Sequence, residues 1–157
     1  MKRLILASRC LSVTLVVGAA AAGGLLPEDL QRLHDYALSM DKVKAMQAAV
    51  DEAKPTQQKM TEQGRGIDKN AHSLTEMEAN LKAIPPLYVA YTRHGLTAED
   101  AVLMLFVLMD AGMVAAYPSA AAKFATRTSP AQIAFYKEHE QELKAMPWLY
   151  GDSPKGD

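Results

Sequence analysis

The sequence predicts an all-α fold: a single-domain bundle of five or six helices around a central apolar helix. Three observations carry this. The chain has 157 residues, the length of one domain, and is 49% hydrophobic, enough for a core and too apolar for a disordered chain. No segment sustains period-two alternation with β-branched enrichment. Helix punctuation recurs instead, at Pro27, Ser39, Ser73-x-x-Glu76, Gly95, Thr97-x-x-Asp100 and Ser129-Pro130.

The first 22 residues read as an export signal rather than as part of the bundle. Lys2 and Arg3 make a positive start, residues 11–22 are free of charge and mostly apolar, and Ala20-Ala21-Ala22 offers an A-x-A site before Gly23. The apolar run is shorter than the roughly 20 residues that span a bilayer as a helix, and Arg9 bars its extension. The expected division is a signal peptide at 1–22, a helical domain at 23–151 and a flexible C-terminal tail at 152–157. The expected location is periplasmic or secreted, after cleavage near Ala22. A retained signal anchor is the alternative.

Cys10 is the only cysteine, and it lies inside this leader behind Arg9, where lipoprotein processing would want a small residue. A cysteine-free mature domain excludes disulfides, thiolate catalysis, cysteine-ligated zinc, iron–sulfur clusters and c-type haem attachment. Loss of Lys2, Arg3 and Arg9 leaves 14 basic against 18 acidic side chains, a balance of −4. Such a chain lacks the electrostatic footprint of a nucleic-acid binder. It has no polybasic run, so membrane contact is expected only through the N-terminal signal during export.

The first helix is expected over residues 27–37. Pro27 suits its first position, Glu28 and Asp29 suit its dipole, and Leu30, Leu33 and Ala37 form its stripe. The second starts after Ser39, carries Val43, Met46 and Val50 inward, and is expected to break or kink at Pro55. Residues 54–71 are polar, with Gly64 and Gly66, and read as a frayed helix end and a connector. The third helix begins at the Ser73-x-x-Glu76 capping box and buries Leu74, Met77, Leu81 and Ile84.

Pro85-Pro86 ends that helix and seeds a fourth over residues 87–94, with Gly95 as a left-handed C-cap. Thr97-x-x-Asp100 then opens the fifth, so the fourth and fifth must meet in a tight hairpin or corner. The fifth runs from Ala98 to about Tyr117, and every residue over 101–109 is apolar. A helix greasy on all sides is buried on all sides or lies in a membrane, and it reads here as the central helix. Gly112 and Ala116, four apart, are expected to admit a neighbour's backbone. After a connector with a short Ala-rich turn at 120–124, a last helix starts at Ser129-Pro130-x-Gln132. It faces inward through Ile133, Tyr136, Leu143 and Met146, and stops at Pro147.

Three stretches carry a resemblance: Leu38-Ser39 before a Val-bearing helix; Gly95-Leu96-Thr97-Ala98-Glu99-Asp100 before a greasy helix; and Ser129-Pro130-Ala131-Gln132-Ile133-Ala134-Phe135 before a charged one. Together they resemble a group of small exported all-helical bacterial proteins of unassigned function. The resemblance covers most of the mature chain. Its motifs are caps and core positions, so it implies a fold and carries over no catalytic residue.

The search for chemistry is mostly negative. None of His34, His72, His94 and His139 follows a glutamate by three residues, so the di-iron Glu-x-x-His pattern is missing. His139-Glu140 lacks the second histidine of H-E-x-x-H. There is no G-x-S-x-G, no S-x-x-K and no phosphate-binding glycine loop. The eight methionines beyond the leader could suit Cu(I), but none are closer than four apart, and they read as core filling.

Asp110 interrupts the apolar helix. It either reaches the surface or lines a pocket with a cation such as Arg93 or His94. Tyr88 and Tyr91 share a face beside His94 and could wall that pocket. The speculative site is therefore Asp110, Tyr88, Tyr91 and His94, with no catalytic, cofactor-binding or metal residue assigned and no cofactor expected. The function expected is binding or structural interaction with a protein or small-molecule partner, without catalysis. The alternatives are a carrier for copper or a small hydrophobic ligand, and a membrane-attached protein.

Overall fold

A computed structural model describes residues 25–63 and 71–150. The leader with Cys10, the cleavage site, residues 64–70 and the expected tail lie outside the described residues. Among the described residues all regular structure is helical: α1 (Pro27–Asp35), α2 (Met40–Glu62), α3 (Leu74–Lys82), α4 (Pro85–Arg93), α5 (Ala98–Ala116), a 3-10 turn (Pro118–Ala120), α6 (Ala121–Phe124), α7 (Pro130–Glu138), α8 (Glu140–Lys144) and α9 (Pro147–Tyr150). The fold is a one-domain all-α bundle with α5 at its centre. That helix packs against α1, α3 and α7 and also touches α2, α4 and α6, while α2 lies along α4.

Two faces of α5 feed two apolar clusters. Met104, Leu108 and Ala111 join Val43, Met46, Ala49 and Ala53 of α2, Leu87, Ala90 and Tyr91 of α4, Tyr136 and Leu143. Leu103 and Val107 join Leu33 of α1 and Leu74 of α3. Apolar surface leaving water is the main force closing the bundle.

The corner between α4 and α5 follows the expectation. Gly95 has φ +76°, the left-handed backbone that a Cβ disfavours. Its N–H donates to the Thr92 carbonyl at 3.0 Å, and the Leu96 N–H donates to the Tyr91 carbonyl at 3.1 Å. This is the Schellman pattern, and Leu96 and Tyr91, the two residues it brings together, are both buried. Thr97 and Asp100 cap α5 reciprocally, and Ser129 and Gln132 do the same for α7.

Several expectations need correction. Helix α2 passes through Pro55 to Glu62 as one element. Pro55 and Asp51, whose carbonyl loses its helical donor, are both exposed residues, and Ala53 between them stays in the core. Helix α1 stops two residues early, because Tyr36 turns extended and sends its hydroxyl to Asp100. The last helix is three. The chain breaks at His139, whose ring lies 4.7 Å from the Phe135 ring, and Pro147 starts α9 as well as ending the run. The break brings Leu143 into the core and lets Met146, Trp148 and Leu149 pack beside it. At the start of α3, Ser73 accepts the Glu76 N–H as expected, but the Glu76 carboxylate takes the His72 N–H instead of closing on Ser73.

Gly112 does admit a neighbour, but it is a ring and not a backbone. A Cβ there would stand 2.8 Å from a ring carbon of Tyr136, itself buried. Gly112→Ala gains about 1 kcal/mol in helix propensity and meets an overpacking cost of about 1–3 kcal/mol. A net loss of about 1 kcal/mol in chemical denaturation is expected, and it should vanish in a Tyr136→Leu background, where the ring is gone.

Candidate functional site

The polar side chains that the bundle buries are concentrated where helices end. Asp100 gathers four hydrogen bonds onto one carboxylate. Its Oδ2 accepts the Thr97 N–H at 3.0 Å and the Thr97 hydroxyl at 2.8 Å; its Oδ1 accepts the Tyr36 hydroxyl and the Lys42 ammonium, each at 2.7 Å. One carboxylate thus caps α5 and ties it to the α1–α2 corner. Burial pushes this carboxyl up, but the donors from Lys42, Thr97 and Tyr36 outweigh it and hold it down at about 2. Burial and the neighbouring Asp100 charge push the Tyr36 phenol well above its ordinary range.

Gln132 works in the same way from α7. Its Oε1 accepts the Ser129 N–H at 2.9 Å. Its amide nitrogen donates to the carbonyls of Leu33 and Tyr36 at 2.8 Å and of His34 at 3.2 Å. Those carbonyls lie at and just past the end of α1, where a helix runs short of internal donors; the Leu33 carbonyl also accepts the Tyr36 N–H at 3.4 Å. Asp29, 1% exposed, accepts the first N–H of α3 from Leu74 at 3.2 Å. Arg32 beside it reaches Glu78 of α3 and, at 3.0 Å, Glu99 of α5.

Among the described residues, no side-chain hydrogen bond or ion pair joins Asp110 to Tyr88, Tyr91 or His94, the other three residues of the expected pocket. Asp110 is buried, contrary to its surface reading, and its cation is Arg127, not Arg93 or His94. Arg127 Nη2 donates to Oδ1 at 2.9 Å, and Nε lies 2.7 Å from Oδ2. Burial raises the Asp110 carboxyl, and Arg127 only partly offsets this. Arg93 and His94 instead meet Glu52 of α2, at 2.7 and 3.0 Å. Tyr91 is a core residue whose phenol burial pushes up, and Tyr88 packs half-buried against the same cluster. An open groove of about 380 Å³ does exist elsewhere, lined by Pro27, Leu30, Gln31, His34, Ala125 and Thr126. Its Gln31 and His34 are both tied to Asp35.

Among the described residues no set of three or more His, Cys, Asp or Glu side chains could hold a metal ion. No single described helix is long and apolar enough to cross a membrane; α5 passes such a test only together with Pro118–Phe124, from which it is bent by 120°.

Three of the five exposed large apolar side chains among the described residues lie on or just past α5. This helix is not enclosed on all sides. Met109 is 56% exposed, Met113 46% and Tyr117, just past its end, 61%. Val102 and Phe106 are half-buried on the same line, and Ala116 is exposed. Two methionines expected in the core are therefore on the surface, while Met46 and Met104 are fully packed. Sequence reasoning missed this face because every position over 101–109 is apolar, so nothing separates its open edge from its buried ones. It missed Arg127 because that residue lies in a connector 17 positions beyond its partner.

No protein-family model, no characterised protein and no experimentally determined structure shows significant similarity to this chain.

Asp100 gives the bundle a defined acid sensitivity. Its folded-state value lies below the unfolded one, so its contribution is complete above about pH 4 and is lost as pH falls toward 2. Asp110, raised, works in the opposite sense: its burial weighs less against folding as acid protonates it. Asp100→Asn is expected to cost about 2–3 kcal/mol near neutral pH, where it leaves Lys42 without its carboxylate. Urea titrations from neutral to acid pH should show the gap between wild type and variant closing toward pH 2.

Proposed function

We propose that this is an exported helical protein that acts by binding or structural interaction, without chemistry of its own. The observation that carries the reading is the division of labour among its side chains. The buried polar groups Asp29, Asp100 and Gln132 each join helices, and Asp110 holds the connector residue Arg127 to α5. The apolar edge of α5 around Met109 and Met113 is open to a partner. Export rests on the leader: a positive start, an uncharged apolar run and the Ala20-Ala21-Ala22 site.

A second reading, a Cu(I) carrier, is favoured by one detail. Met109 and Met113 place two thioethers on successive turns of an exposed helix edge. Native mass spectrometry with Cu(I) decides this. A one-ion shift lost in Met109→Leu supports a carrier, and an unshifted spectrum rejects it.

For the leading reading, the protein recovered from its native host should begin at Gly23 or an immediate neighbour by N-terminal sequencing. A chain beginning at Met1 contradicts cleavage. Immobilised wild type should retain an envelope component that Met109→Glu does not. Equal retention by both, or by neither, counts against binding through this face.

A further inference from the structure

We propose that residues 117–127 are a strap that opens as a unit, that the Asp110–Arg127 ion pair is its latch, and that opening carries away one wall of the groove beside α1. The inference stands apart from export and from the apolar edge around Met109.

The strap is not packed into the bundle. It joins α5 to α7 through the 3-10 turn and α6, and no residue from Tyr117 to Arg127 is buried. Neither apolar cluster takes a side chain from it. The Phe124 ring is only half-buried and meets the strap's own Arg127 guanidinium, 4.8 Å from the ring centroid. Its turns close on themselves. The Ala120 N–H donates to the Tyr117 carbonyl at 2.8 Å, and the N–H groups of Arg127 and Thr128 both donate to the Phe124 carbonyl at 2.9 Å. A segment that buries so little apolar surface is among the first that a folded protein opens.

The strap's tie to the bundle is polar, and it sits at one end. Arg127 Nη2 donates to Asp110 Oδ1 at 2.9 Å, with Nε 2.7 Å from Oδ2. Asp110 is buried in α5, so this pair is screened less than a surface ion pair. Thr128, the first buried residue after the strap, adds no second tie, because its hydroxyl has no hydrogen-bond partner. The helices on either side are closed without the strap. The Tyr117 N–H donates to the Met113 carbonyl at 2.9 Å, and Ser129 and Gln132 cap α7 reciprocally. Release of the latch therefore frees the strap and leaves both helix ends intact.

The groove gives this motion a consequence. Ala125 and Thr126, exposed residues of the strap, form one wall, and Pro27, Leu30, Gln31 and His34 of α1 form the other. The strap wall lies next to Arg127 in the chain, so the latch sets how wide the groove stands.

Native-state hydrogen exchange on the full chain tests the latch. Asp110→Asn and Arg127→Leu should each lower the protection of the Ala120 and Thr128 amides about tenfold or more, the worth of one hydrogen bond between charged groups. Leu103 in α5 and Tyr136 in α7 should keep theirs. The double variant should open no faster than the single ones, since one latch is lost only once. Asp110→Asn leaves no buried charge behind, so it decides the matter if Arg127→Leu unsettles the whole fold. Spin labels at Gln31→Cys and Thr126→Cys, in a Cys10→Ser background, read the groove. Pulsed electron resonance should find the longer separation more populated in Asp110→Asn than in the Asp110 parent. Unchanged strap protection in Asp110→Asn overturns the proposal, and so does an equal loss across all helices in that variant. Additive effects in the double variant, or a label separation that Asp110→Asn does not alter, overturn it as well.

Discussion

Short helices create a debt of backbone hydrogen bonds, and the way this protein settles it at the end of α1 is the constraint on which the rest depends. Four carbonyls at a helix C-terminus lack internal donors. In α1 Leu33 presses this end into the bundle, while Asp35 and Ala37 stay exposed. The amide of Gln132, 2% exposed, supplies the donors from a helix nearly a hundred residues away in the chain. The same side chain closes the N-terminal box of α7. One residue therefore fixes two helix ends against each other.

The same device recurs around α5. Asp100 caps its own helix and holds Tyr36 and Lys42. Asp29 of α1 serves the first amide of α3. These are not surface ion pairs of marginal worth. They are buried groups whose hydrogen-bonding needs are met across helices, and truncating one leaves its partners unsatisfied, which costs more than the bond itself contributed. The apolar clusters on either side of α5 supply most of the stability, while the polar ties fix the order and angle in which short helices dock.

This arrangement explains which parts of the molecule could be read from its residues. Caps are local, so Thr97-x-x-Asp100, Ser129-Pro130-x-Gln132 and Gly95 marked helix ends correctly. The central helix was legible because no other stretch is apolar for so long. The second role of Asp100 and of Gln132 was not legible, since a residue already explained by its cap gives no sign of partners 58 or 99 positions away. Asp110 was recognised as anomalous, yet its partner Arg127 lay beyond reach of any spacing rule. The exposed edge of α5 was hidden by its own uniformity: with all faces apolar, only packing shows which face is left over. Met109 and Met113 are thus the residues where composition misled most.

The central claim, that Gln132 holds α1 to α7, is tested most directly by native-state hydrogen exchange on Gln132→Ala. Loss of the three carbonyl contacts should speed exchange of the amides along α1 and of those at the start of α7, while the amides of Leu103, Met104 and Leu108 in α5 keep their protection. Unchanged protection in α1, or an equal loss across all helices, would contradict the account.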